Sequence, residues 1–146
     1  MDEEKMLDLE AVAENAAQAE AQAEEEATGT PTGVYVHHFK KPFTLYEEKE
    51  DTVEEKQVKE LTFDWDALTG ADHNACCAAV TQRTGLVVVV REFTPQYLTA
   101  MAERACTLRS DKGKRVLHYG DLERMRFCDL TKIQDEARLF LRKSEL

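Results

Sequence analysis

The sequence predicts an α+β fold that is mostly α, with an N-terminal β-hairpin, three to four helices after it and an acidic extension before it. Three observations predict this fold. β-Branched and aromatic residues are concentrated in 34–46, and apolar residues alternate again near 56–63. Helix-start signals follow at Thr69 and Thr94. From residue 121 onward, apolar residues recur at helical spacing.

The first 32 residues are predicted to form an acidic tail and linker, distinct from the rest of the chain. The protein has 146 residues and a net charge of -10. Residues Met1–Glu26 hold ten acidic side chains and one basic side chain, Lys5. Blocks of like charge are usually solvated, and few large apolar residues are present to pack this segment. We therefore predict a disordered or loosely helical tail over 1–32 and one small domain over 33–146.

The small domain is predicted to begin with a hairpin spanning about 34–63. Lys40-Lys41-Pro42 interrupts the first strand, and the charged stretch 47–55 predicts a long, solvated hairpin tip. Adjacent side chains on a strand point to opposite faces, so His37 and His38 are expected to place one ring inward and one outward. Trp65, just after the hairpin, is expected to anchor the core.

The helical part is predicted to span about 66–143, with helices near 70–84, 94–108 and 121–142. Thr69 and Asp72 have the spacing of a capping box, in which each side chain accepts from the other residue's backbone N–H. Removing a cap of this kind costs about 1 kcal/mol, so Thr69→Ala is expected to destabilise by that amount and Asp72→Ala by somewhat less.

The second and third helices have their own start and break signals. Thr94 is predicted as an N-cap, and Pro95 as the first helical residue, where its missing N–H is harmless. A second capping pattern beginning at Thr131 suggests a kink near Asp129. The β-branched run 86–90, between the first two helices, predicts a short strand or an extended connector.

Residues that could support catalysis or metal binding form no recognisable motif. The four cysteines include no Cys-x-x-Cys pair, and His73 with Cys76 is the nearest approach to a metal-binding spacing. The six glycines are dispersed and form no phosphate-binding loop. We therefore predict that the protein is not an enzyme, with no catalytic, cofactor-binding or metal-binding residue and no cofactor.

Charge and hydropathy argue against two further classes of partner. A net negative chain lacks the basic face that nucleic acid binding requires. No apolar run approaches the length of a membrane span, and the N-terminus lacks the features of a signal peptide. We expect an intracellular protein with reduced cysteines and neither nucleic acid nor membrane as a partner.

The order of the short motifs carries a family resemblance. Lys41-Pro42 follows the first strand, Leu61-Thr62-Phe63 ends the returning strand, and Leu68-Thr69-Gly70-Ala71-Asp72 opens a helix. Phe93-Thr94-Pro95-Gln96-Tyr97-Leu98 opens the next helix, and the helix beginning at Asp121-Leu122 ends in Leu139-Phe140-Leu141. Over roughly residues 34–143 this order resembles the tail assembly chaperones of long-tailed bacteriophages. The acidic tail, the long hairpin tip and Cys76-Cys77 depart from the family pattern.

The resemblance implies a protein of phage morphogenesis that is absent from the mature virion. Such chaperones bind the tape measure protein in the host cell cytoplasm, keep it soluble, and recruit the tail tube protein during tail assembly. Self-association and a longer frameshift product are further expectations for the family. As candidate partner contacts we predict the C-terminal apolar residues Leu139, Phe140 and Leu141. The alternative is a small intracellular acidic adaptor or regulatory protein of another family.

Overall fold

The computed structural model describes residues 33–144, which form an α+β fold with a two-stranded antiparallel hairpin followed by helices. The predicted fold class is therefore confirmed. The predicted acidic extension lies outside the described residues, so the division into tail and domain stays a prediction. The elements are β1 (Val34–Lys49), β2 (Thr52–Asp64), α1 (Gly70–Thr84), α2 (Pro95–Ala105), α3 (Tyr119–Glu123) and α4 (Phe127–Ser144), with short 3-10 turns at Trp65–Ala67 and Arg91–Phe93.

The hairpin is longer than predicted, and the expected long tip is wrong. The strands pair as far as Lys49 opposite Thr52, which leaves only Glu50 and Asp51 in the turn. Cross-strand side-chain pairs support this outer part, including an ion pair between Lys49 and Glu54 at 2.9 Å. Pairs of this kind stabilise an antiparallel ladder even where neither face is buried. Charge alone was therefore a poor predictor of where the strands end.

An irregularity in β1 aligns the core-facing side chains of β2. His38 pairs with Glu60, but the next pair is Phe43 with Val58, so four residues of β1 lie opposite one residue of β2. Pro42 lies in this bulge, where its missing N–H removes no ladder hydrogen bond. In a regular strand, residues three apart face opposite sides. Val58 and Leu61 of β2 are three apart, yet both are buried, because the bulge in β1 lies opposite the stretch between them.

The core is built around α2, which packs against α1, α3, α4 and β2. Seven of its eleven residues are buried, and three of these are alanines that let neighbouring elements approach closely: Tyr97, Leu98, Thr99, Ala100, Met101, Ala102 and Ala105. Trp65 is buried and its ring stacks on Phe63 with the centroids 5.5 Å apart. The predicted role of Trp65 as a core anchor is confirmed.

A buried histidine ties the hairpin to the last helix. His37 is 4% exposed whereas His38 is exposed, as expected for neighbours on a strand. The His37 ring contacts the Tyr35 hydroxyl through Nδ1 at 2.8 Å and the Asp129 carboxylate through Nε2 at 2.9 Å. Because Asp129 lies in the first turn of α4, this chain of polar contacts fixes that helix against β1.

Two helix boundaries differ from the prediction. The helix predicted over 94–108 ends at Ala105, because the following chain leaves the helix and the Thr107 N–H donates to the Thr62 carbonyl of β2 at 2.9 Å. The region predicted as one helix over 121–142 is two helices, with the break at 124–126 rather than near Asp129. The Thr131 hydroxyl, the predicted second cap, instead donates to the Phe127 carbonyl inside α4.

None of the helices within residues 33–144 is both long enough and apolar enough to cross a membrane.

Candidate partner-binding surface

The segment between α1 and α2 presents the largest group of exposed apolar side chains in the described part of the chain. Five large apolar residues, which we call the connector surface, lie within eight positions: Leu86, Val87, Val89, Val90 and Phe93. Val89 is 91% exposed and Val87 is 79% exposed. Single exposed apolar residues are ordinary, but a contiguous group of this kind is a candidate binding surface.

Hydrogen bonds to the last turn of α1 fix the start of the connector. Gly85 ends the helix in the left-handed conformation, with φ of 73°, and its N–H donates to the Thr81 carbonyl at 2.8 Å. The Leu86 N–H donates to the Thr84 hydroxyl and the Leu86 carbonyl accepts from the Thr81 hydroxyl, each at 3.1 Å. The connector therefore leaves the helix in a defined direction.

The other end of the connector is held by a 3-10 turn and by α4. The Val90 carbonyl accepts from the Phe93 N–H at 3.2 Å and from the Thr94 hydroxyl at 2.7 Å. The Arg138 guanidinium on α4 donates to the Glu92 carbonyl at 2.8 Å. Between the two ends, Val88 is partly buried against the core. With Val88 turned inward, its neighbours on both sides are left facing outward.

The groove beside these side chains is lined by uncharged residues, although Arg91 and Glu92 lie between Val90 and Phe93 in the chain. The shallow groove is lined by apolar residues together with Thr84, Thr94 and Gln96, and none of its lining residues is acidic or basic. Such a groove can bury apolar side chains of another protein and can supply a few hydrogen bonds at its rim. It offers no titratable group for acid–base chemistry.

The predicted capping box at α1 is present and has an additional partner. The Thr69 N–H donates to the Asp72 carboxylate at 2.8 Å, and the Asp72 N–H donates to the Thr69 hydroxyl at 3.4 Å. The Arg104 Nε on α2 also donates to Asp72, at 2.6 Å. Burial raises the pKa of Asp72, but the hydrogen bonds from Thr69 and Arg104 outweigh it and hold the pKa below its usual value. The contact with Arg104 could not be predicted from the sequence, because this residue is 32 positions away.

The two residues predicted at the start of α2 hold their predicted positions, but only part of the expected capping is observed. Pro95 is the first residue of the helix, as predicted, and Thr94 occupies the N-cap position. The Thr94 side chain accepts no hydrogen bond from the helix, because its hydroxyl donates back to Val90. Thr94 therefore holds the predicted N-cap position without a side-chain capping bond, and its hydroxyl donates to the Val90 carbonyl instead.

The predicted contact residues at the C-terminal end are less accessible than expected. Leu141 is 4% exposed and belongs to the core, whereas Leu139 and Phe140 are half-buried. Leu141 is therefore buried in the core rather than exposed, and the predicted contact role of these three residues stays a prediction. Among the described residues, the largest group of exposed apolar side chains is the connector surface.

The cysteine and histidine side chains form no metal-binding cluster in the described residues, and two of the four cysteines are buried. Cys76 and Cys106 are buried, and burial raises the pKa of the Cys76 thiol to about 12. Residues 33–144 contain no group of three or more His, Cys, Asp or Glu side chains placed to hold a metal ion. One pair is still notable: His73 Nε2 lies 3.6 Å from Cys77 Sγ, rather than beside Cys76 as the spacing suggested.

No protein-family model, curated protein or solved structure matches this chain. Its function must therefore be argued from its own residues and from the motif resemblance.

Proposed function

We propose that this protein is a tail assembly chaperone of a long-tailed bacteriophage, acting in the host cell cytoplasm. It would bind the tape measure protein, keep it soluble and recruit the tail tube protein. The observation that carries this proposal is the connector surface, five exposed apolar side chains on a segment bonded to helices at both ends. The choice of this family rests on the order of motifs over residues 34–143, which resembles that of tail assembly chaperones.

The chemistry of the connector surface suits the proposed client. In the family that the sequence resembles, the tape measure protein is long, helical and prone to aggregate. An apolar stripe of such a helix can bury itself against Leu86, Val89 and Phe93, in a groove whose lining residues are uncharged. Because the connector is already held in place, little conformational entropy is lost when the partner binds. The net charge of -10 favours solubility of the resulting complex.

The test is co-expression with the tape measure protein from the same genome, followed by measurement of how much of that protein is soluble. We expect the wild-type chain to keep it soluble and to co-purify with it. The double variant Val87→Ser, Val89→Ser should remain folded, since both side chains are exposed, but should lose this activity. Val53→Ser is the matched control, because Val53 is also a largely exposed valine but lies on the hairpin.

Two results would count against the proposal in different ways. If the Val87/Val89 variant solubilises the tape measure protein as well as the wild type does, the connector surface is not the binding site. If folded wild-type protein binds neither the tape measure protein nor the tail tube protein, the chaperone function itself is wrong. The acidic adaptor or regulatory protein then becomes the better hypothesis.

A further inference from the structure

His73 and Cys77 lie one turn apart on the outer side of α1 and approach each other closely. The distance from His73 Nε2 to Cys77 Sγ is 3.6 Å. In a tetrahedral zinc site, with Zn–S of about 2.3 Å and Zn–N of about 2.0–2.1 Å, the sulfur and nitrogen ligands stand about 3.6 Å apart. The two atoms therefore already have the separation that one shared ion requires. His73 is exposed and Cys77 is half-buried, so solvent can reach the pair.

The opposite side of the His73 ring is held as it is in many metal sites. His73 Nδ1 lies 2.6 Å from the hydroxyl of Tyr97 on α2, and Tyr97 is only 3% exposed. Histidine ligands commonly donate their second ring N–H to such a fixed group, which sets the ring orientation. With Nδ1–H donating to the Tyr97 oxygen, Nε2 carries the free lone pair that can bind a metal ion.

We propose that His73 and Cys77 form half of a zinc site, and that two copies of this chain share one ion between them. Within residues 33–144 no third His, Cys, Asp or Glu side chain joins the pair, so a single copy leaves two of the four tetrahedral positions unfilled. A twofold axis through the ion brings an identical pair from the second copy and gives two sulfur and two nitrogen ligands. This ligand set suits zinc.

The surroundings of the pair allow two copies of α1 to meet. The exposed positions next to the pair on this helix carry short side chains: Ala71, Asn74 and Ala78. Each bound Cys77 must give up its thiol proton to solvent, whereas His73 binds as the neutral imidazole. This site is separate from the connector surface and does not depend on the proposed chaperone function.

Titration of the reduced protein with Co²⁺, a spectroscopic substitute for Zn²⁺, tests the site. We expect the absorption of tetrahedral, thiolate-bound cobalt, saturating at one ion per two chains, and a doubling of mass by light scattering. Chelation should reverse both effects, and Zn²⁺ should displace the cobalt. Cys77→Ser and His73→Gln should abolish the signal, whereas Cys128→Ser, which removes the exposed cysteine of α4, should leave it unchanged.

Replacing Tyr97, whose hydroxyl holds the His73 ring, distinguishes a metal site from a simple hydrogen bond between thiol and imidazole. Tyr97→Phe should weaken cobalt binding by about 10- to 100-fold while leaving the stoichiometry unchanged. Any of three results would overturn the proposal: absence of tetrahedral cobalt absorption in folded wild type, saturation at one ion per chain without dimerisation, or an unaltered spectrum in Cys77→Ser. Circular dichroism of each variant verifies that a lost signal is not lost folding.

Discussion

The Asp72 carboxylate joins two helices, and its removal should destabilise the protein more than removal of the threonine that it caps. Asp72 accepts hydrogen bonds from the Thr69 N–H, from the Thr69 hydroxyl and from the Arg104 guanidinium. The first two bonds fix the start of α1, and the third ties α1 to α2. The sequence predicted the opposite order of effects, because it showed only the first of these roles.

The two magnitudes follow from what each substitution leaves unpaired. Thr69→Ala removes a capping acceptor and should cost about 1 kcal/mol. Asp72→Ala removes the acceptor of the Thr69 N–H and also leaves Arg104, whose side chain is 25% exposed, without its carboxylate. A hydrogen bond between charged groups contributes about 1.5–3 kcal/mol. Because Arg104 is partly exposed, water screens its charge, and we expect a value near the lower end of this range. We therefore expect about 2–3 kcal/mol for Asp72→Ala.

Urea unfolding at neutral pH measures both values, provided that the dependence on urea is the same in each variant. Combining Asp72→Ala with Arg104→Ala gives the coupling between the two side chains, which should account for most of the difference. If Asp72→Ala costs no more than Thr69→Ala, or if the coupling is close to zero, the bond between Asp72 and Arg104 contributes nothing to stability. The reasoning would then be wrong.

The same carboxylate predicts the direction of a pH effect. Because the folded pKa of Asp72 lies below its ordinary value of 3.8, the folded state favours the charged form. This contribution to stability is fully present above that value and is lost as the pH falls through the folded pKa. The difference in stability between wild type and Asp72→Ala should therefore shrink on acidification below about pH 4. A constant difference across that range would contradict the assignment.

Three further predictions concern the core, a buried charge and the tail. Leu141→Ala should cost about 2–4 kcal/mol in urea unfolding, because Leu141 is a core residue; a stable variant that has lost partner binding would instead support the contact role predicted from the sequence. Burial raises the pKa of Glu136, so stability should fall as the pH rises from 4.5 through the higher folded value, and Glu136→Gln should remove that fall in pH-dependent melting. Deleting residues 1–32 should shift the melting temperature by only a few degrees, since the described residues form their own core; a large loss would show that the tail is packed.

Local signals in the sequence predicted the parts of the fold that depend on neighbouring residues. The capping box at Thr69, the end of the first helix near residue 84 and the position of Pro95 each follow from residues within a few positions of one another. The errors arose where distant residues decide the structure. Thr107 leaves the helical path because it bonds to β2, and Arg104 reaches the cap from another helix. A single sequence contains no direct signal for such contacts.

The connector shows the same limit, because its exposure could not be predicted from the sequence. A β-branched run such as Leu86–Val90 predicts a strand, but a strand needs a partner edge. In the described residues the sheet consists of β1 and β2 alone, and residues 86–90 pair with neither of them. The run also cannot enter the core as a helix face, because Gly85 and the hydrogen bonds of Thr81 and Thr84 end α1 before it. Within the run only Val88 packs against the core, and the other apolar side chains stay exposed to solvent. Because exposed apolar patches of this kind are common at binding sites, the connector surface is the first place to test for the proposed partner.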